Sequence, residues 1–177
     1  MKPRGPLMIE HRLIEKMIDI IKKEMDDIKR SKQADSAFID IAVDFIRIYA
    51  DRTHHGKEED ILFRSLSLKD MSAEDKKVMN ELIEEHQYGR KTVKALVEAK
   101  EKYVQGDTRA LGVISDKLKA LVDFYPRHIK KEDDVFFPNS ERYFSDDELN
   151  KMLSEFWEFD RNMIHEKYRS LVDSLRG

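Results

Sequence analysis

Apolar side chains recur three and four positions apart through most of the chain. The first run is Leu7, Ile14, Ile18, Ile21, Met25 and Ile28, with one polar member, His11. Such spacing marks one face of an amphipathic helix. The stretch RSKQADS at 30–36 breaks the pattern and offers Asp35 or Ser36 as the next N-cap. A second face, Phe38, Ile41, Phe45 and Ile48, leads into HHGKEEDILF at 54–63. Ser72 is placed to cap a third helix, whose face reads Met79, Leu82, His86, Gly89, Val93 and Leu96, with Gly89 leaving room beside His86. After a turn at QGD (105–107) comes a fourth face: Leu111, Ile114, Leu118, Leu121, Tyr125, His128, Glu132 and Val135. Pro126 should bend that helix and Pro138 should end it. Ser145 and Glu148 form a capping box for a fifth helix over 146–175.

No long strict alternation of the strand kind occurs, and glycine and proline are scarce. The expected fold is all-α: an up-down antiparallel four-helix bundle over about 7–140 with an additional C-terminal helix, forming a single domain, 1–177.

Charge narrows the partners. Charged residues make up 39% of the chain, yet the net charge is only −3, which argues against a nucleic-acid partner. The chain has no cysteine, so disulfides, thiolate zinc sites and cysteine-ligated clusters are excluded. No apolar run approaches the roughly 18 residues needed to span a membrane. The opening MKPRGPLMIEH reaches charged residues too soon for a secretory signal. A cytoplasmic protein is the expectation.

The polar residues inside the apolar faces form a repeat. Glu-His occurs at 10–11 and again at 85–86, and His54 with Glu58 recurs as His128 with Glu132. Residues four apart on a helix share a face, with Cβ atoms roughly 5–6 Å apart. Two halves packed with approximate two-fold symmetry would bring His11, His54, Glu58, His86, His128 and Glu132 to one level of the core. Four imidazoles and two carboxylates are costly to bury without partners. A pair of metal ions would satisfy them, and this donor set suits iron, manganese or zinc. Six donors shared by two metals leave positions for a bridging oxygen species and an incoming ligand.

Other chemistries find no support. HEKYR at 165–169 lacks the second histidine of the zincin motif, and no glutamate lies three before any histidine, as ferritin-like bundles require. There is no glycine-rich phosphate loop and no nucleophile elbow.

The blocks HHGKEEDILF and HIKKEDDVFFP (128–138), in this order and spacing, resemble the helix signatures of the hemerythrin-like family, also called the HHE cation-binding domain. The resemblance covers roughly residues 7–140. It implies a non-heme di-iron centre with His11, His54, His86 and His128 as terminal ligands and Glu58 and Glu132 as bridges. It also implies a small diatomic ligand, oxygen or nitric oxide, or peroxide. Oxygen-carrying members have a further histidine four positions on in the third helix. Here that position is Arg90, which brings the layout closer to iron-centre repair proteins and other four-histidine members. Two terminal histidines per iron would leave both irons accessible, favouring reaction with oxygen over reversible carriage.

The first His-x-x-x-Glu pair has two registers. The repeat selects His54 and Glu58, whereas the second apolar face, extended at helical spacing, selects His55 and Glu59. A π-bulge near 49–53 would reconcile them, and His55 is a candidate fifth nitrogen ligand. His165, beside Arg161, Asn162 and Arg169, reads as a solvated histidine. Tyr125 reads as core, with hydrogen-bond partner or radical site as the alternative. Phe156, Trp157 and Phe159 read as packing for the fifth helix or as an oligomer contact. Three function classes stay open: a binder or sensor of a diatomic; an enzyme acting on such a species, or an iron donor to damaged centres; and a module with stored or structural metal.

Overall fold

A computed structural model describes residues 2–174, and the expected helix end at 175 lies outside them. Five helical rods account for the fold. Helix α1 is Arg4–Ser31, closed by Lys32 in the left-handed conformation (φ 58°), whose N–H bonds the Ile28 carbonyl. Rod α2 covers 36–66. It begins α-helical (Ser36–Phe45), continues as two π-helical stretches (Ile46–His55 and Glu58–Phe63) and ends with one α-turn (Arg64–Leu66). Helix α3 is Ala73–Val104. Rod α4 covers 110–140 as Ala110–Lys131, a π-turn Glu132–Phe136 and a last turn Phe137–Ser140. Helix α5 is Asp146–Ser174.

The caps are the expected ones. Asp35 accepts from the Phe38 N–H, Ser72 from the Asp75 N–H, and Ser145 and Glu148 cap each other. Short connections make successive rods antiparallel. Helix α1 packs on α2 and α4, and α3 packs on the same two, closing a four-helix ring.

The apolar core is split in two. One cluster holds Ile14, Ile18, Ile46, Val93, Leu96 and Leu121; the other holds Leu7, Leu66, Leu82, Phe136, Phe137 and Phe156. The polar repeat lies between them. Along α1 the order is Leu7, His11, Ile14, and along α3 it is Leu82, His86, Val93, so each histidine sits where the core changes from one cluster to the other.

Three expectations need correction. The core face of α2 is Ile39, Ala42, Val43, Ile46 and Ala50; Ile41 is 63% exposed, while Phe38, Phe45 and Ile48 are only partly buried. This helix is apolar on two sides, and the bulkier residues lie off the core-facing line. Second, Val135 is exposed and Phe136 takes the core position, because the wide turn at 132–136 shifts the phase of α4. Third, Pro138 does not end the helix. It stands at the second position of Phe137–Ser140, directly after the π-turn, and a further short turn runs to Tyr143.

Helix α5 runs antiparallel along α2. Ion pairs tie Glu148 to Lys69, Glu155 to Arg64, Asp160 to Lys57, Glu166 to Arg52 and Lys167 to Asp44. Exposed pairs contribute about 0–1 kcal/mol each. Fully burying Phe156 contributes about 1.5–3 kcal/mol beside them, and the pair of Asp160 with the buried Lys57 is not an exposed one. Gly56 permits the docking: a Cβ there would lie 2.7 Å from the Phe159 ring. Trp157 is half exposed. Cover by α5 breaks the two-fold likeness of the halves. Lys57 and Ile61 are buried beneath it, whereas their counterparts Lys131 and Val135 are part-exposed and exposed.

Candidate metal centre

Consecutive side chains diverge by about 100° on an α-helix, so neighbouring histidines ordinarily face different ways. The wider π-turns of Ile46–His55 reduce that divergence, and both His54 and His55 are buried. The Thr53 hydroxyl donates to the Ile48 carbonyl five residues back (2.7 Å), supporting the wide turn. The two registers read from the sequence are thereby both realised in part: His54 and Glu58 point inward as a pair, and His55 joins them. Glu59 turns outward to the rim.

The six expected residues converge and are at most 2% exposed. With His55 added, the seven residues' ligand atoms form two groups. His11, His54, Glu58 and Glu132 make one, and His55, His86 and His128 the other; within each, the atoms lie within 4.8 Å of one another. The carboxylates span the groups. Glu58 Oε1 is 3.5 Å from His54 Nε2 and its Oε2 is 3.3 Å from His86 Nε2. Glu132 Oε2 is 3.2 Å from His11 Nε2 and its Oε1 is 3.3 Å from His128 Nε2. The expected division into two histidines per half is not what the geometry gives, because His55 stacks on His86 and makes the second group one of three.

All five Nδ1 atoms face a carboxylate. His11 pairs with Asp133 (2.7 Å), His54 with Glu10 (2.8 Å), His86 with Glu59 (2.6 Å), His128 with Glu85 (2.8 Å) and His55 with Asp51 (3.3 Å). An Nδ1–H donated to a carboxylate leaves Nε2 as the lone-pair nitrogen, the form a metal needs. The pairs obey the repeat. The glutamate of each Glu-His orients the histidine of the following His-x-x-x-Glu, and the acid after Glu58 and after Glu132 orients the histidine of the other half. Their orienting role was missed in the sequence, which offered Glu59 only as a ligand in the second register, although the duplicated Glu-His and the acidic residue after Glu58 and Glu132 were the available signal. The outer acids are braced by cations: Lys57 on Glu10, Lys131 on Glu85, Arg12 on Asp133 and Arg90 on Glu59 and Asp51. Arg90, at the position of the oxygen carriers' additional histidine, thus holds the acids behind His55 and His86.

The inner atoms have no such partners. Among the described residues, Nε2 of His11, His54, His86 and His128 and both oxygens of Glu58 and Glu132 are buried without any hydrogen bond. Buried polar atoms in folded proteins are rarely left so, and each such atom costs about 1–3 kcal/mol. The charges tell the same story. Burial pushes the Glu58 carboxyl up, to about 7, and the facing Glu132 adds to this. Burial and the facing His86 push His55 down to about 3. Burial also opposes charge on His11, but Asp133 and Glu132 outweigh it and raise this imidazole to about 10. Without cations, the buried negative charge is balanced by protons, either on the histidines or on the Glu58 carboxyl itself. Metal ions would replace those protons, and this donor set fits them.

His165 is exposed on α5, far along the chain from the cluster, and belongs to neither ligand group. Tyr125 is buried beside the cluster, as core, yet it also lines a cavity. Among the described residues, no helix is long and apolar enough to cross a membrane.

The chain matches no curated protein and no solved structure. The hemerythrin HHE cation-binding domain family matches residues 6–139, which takes in all but the outermost residues of the four-helix ring and every residue of the cluster and leaves α5 outside. This chain is a metal-binding protein that belongs to the hemerythrin HHE cation-binding domain family.

Proposed function

We propose that the cluster holds a non-heme di-iron centre that binds or reacts with oxygen, nitric oxide or peroxide. The observation that carries this reading is the set of eight unpartnered buried ligand atoms, arranged so that each of two carboxylates spans both histidine groups. His11 and His54 would hold the first iron, His55, His86 and His128 the second, with Glu58 and Glu132 between them. Manganese or zinc would fit the same donors; zinc has no electrons to give a diatomic or peroxide, whereas iron supplies them.

The donor count favours one end. The first group has one imidazole fewer, so the incoming ligand has its place there. The repeat explains the shortfall: position 129, the counterpart of His55, is Ile129, which is buried and apolar. With a fifth histidine supplied by α2, the ligand count no longer leaves both irons equally accessible. The protein's own part is to hold five imidazoles as Nε2 donors through their carboxylate partners and to keep water out. Phe63 stacks on His86 and Phe137 on His11 for that purpose. Iron delivery to damaged centres is the alternative reading. It requires release, and the sealed ligand atoms favour retention. A cytoplasmic location is part of this proposal.

The test is stopped-flow mixing of the reduced, iron-loaded protein with oxygen, nitric oxide and peroxide in turn. We expect spectral change with at least one, and its loss or slowing in Ile129→His, which would add a sixth imidazole. No reaction with any of the three would contradict the reading.

A further inference from the structure

A cavity of about 390 Å³ opens between α2, α3 and α4, on the side of the cluster away from His11 and His54. That volume lies in the range of small-molecule pockets, which are mostly apolar with a few placed polar groups. Ile46, Ile48 and Val93 supply the apolar wall, and His55 and His86 border it. This is a different place from the donor-poor first group, and nothing in the proposed chemistry uses it.

The polar groups that it leaves unpaired among the described residues, on Tyr125, Arg90 and Arg47, can all donate. Tyr125 is 2% exposed and lines the cavity, and among the described residues its hydroxyl has no hydrogen-bond partner. Arg90 also lines the cavity. It spends Nε and Nη2 on Asp51 and Glu59, and among the described residues its Nη1 has no partner. Arg47 sits on the rim, exposed, with no ion pair among the described residues. Arg52, also on the lining, is taken by Glu166. Asp51 is the one carboxylate of the lining, and it is already engaged by Arg90 and His55. An occupant that satisfies this site must accept hydrogen bonds, carry negative charge and present an apolar body.

We propose that the cavity beside His55 is a binding site for a small organic carboxylate, its head held by the Tyr125 hydroxyl and the Arg90 guanidinium and its apolar body lying on Ile46, Ile48 and Val93. Arg47 attracts the anion at the mouth. The site reports to the metal centre through Arg90. A carboxylate that draws this guanidinium loosens its hold on Asp51 and Glu59, the two acids that orient His55 and His86.

The test is isothermal titration of the metal-loaded protein with benzoate, hexanoate and octanoate, with benzyl alcohol and inorganic phosphate as controls. Metal content is measured on every sample, so that a failed metal site is told apart from a failed cavity. We expect saturable one-to-one binding of at least one carboxylate, at least tenfold tighter than benzyl alcohol, and none of phosphate. Tyr125→Phe, which keeps the ring, should weaken carboxylate binding about tenfold, as befits a lost hydrogen bond to a charged group, with metal content unchanged. Arg47→Gln should weaken it and flatten its salt dependence. The proposal is overturned if no carboxylate binds saturably, if benzyl alcohol binds as tightly, or if both variants bind as the parent does.

Discussion

The His55 ring lies on the His86 ring with centroids 3.9 Å apart and planes only 13° from parallel. The two residues come from different rods, α2 and α3, and the contact exists because the π-helical turns of α2 carry His55 inward next to His54. This one stack turns a four-histidine motif into a five-histidine cluster.

If His55 is a ligand, His55→Gln should weaken the second metal and spare the first. Metal titration should then show one tight and one weak equivalent per chain. Two equally tight equivalents would mean that His55 only packs against His86.

The carboxylates behind the imidazoles should matter nearly as much as the ligands. Partners of this kind typically change metal affinity 10–100-fold. Glu85→Gln and Glu10→Gln are expected to weaken binding by such a factor in chelator competition, each acting through the histidine it orients, His128 or His54. Glu84→Gln, one position away and exposed, should leave affinity unchanged.

Lys57 is fully buried between Glu10 and Asp160, 2.7 Å from the latter, and so links α5 to the acid behind His54. Removing one member of a buried pair costs about 3–5 kcal/mol when the partner is left uncompensated. Asp160 is partly exposed and recovers water, so Lys57→Met should cost about 3 kcal/mol, read by urea unfolding. Lys131→Met, at the open counterpart position, should cost less than 1 kcal/mol. Equal losses at the two positions would contradict the role given to α5.

Asp75 supplies an acid-sensitive joint away from the cluster. Burial alone would raise its carboxyl, but hydrogen bonds from Tyr143, Ser72 and Arg142 outweigh this and hold it at about 2. A carboxyl depressed on folding stabilises the protein above its ordinary value of 3.8 and loses that contribution as the pH falls toward 2. Asp75→Asn should therefore lower stability at pH 7 by about 1–3 kcal/mol and flatten the loss between pH 4 and 2. Parallel pH profiles for the parent and the variant would count against it.

How far the sequence discloses this site depends on which signal is asked. The four rods and the repeat of Glu-His and His-x-x-x-Glu are legible because each histidine replaces an apolar residue in an otherwise regular face. The core face of α2 is not, since Phe38, Ile41 and Phe45 imitate it one position away from Ile39, Ala42 and Ile46. The fifth histidine is hidden for a related reason. A period of 3.6 residues cannot be carried across ten residues of π-helix, so phase alone cannot say whether His54 or His55 faces inward. The docking of α5 leaves only a faint trace, a glycine at 56 opposite an aromatic at 159.

The central claim is a pair of metals bridged by Glu58 and Glu132, and the most direct test is metal content per chain after anaerobic, iron-replete purification. The parent should hold two metal ions, and Glu58→Ala combined with Glu132→Ala should hold neither tightly while remaining helical by circular dichroism. A parent without stoichiometric metal, or a double variant that keeps both ions, would contradict the account.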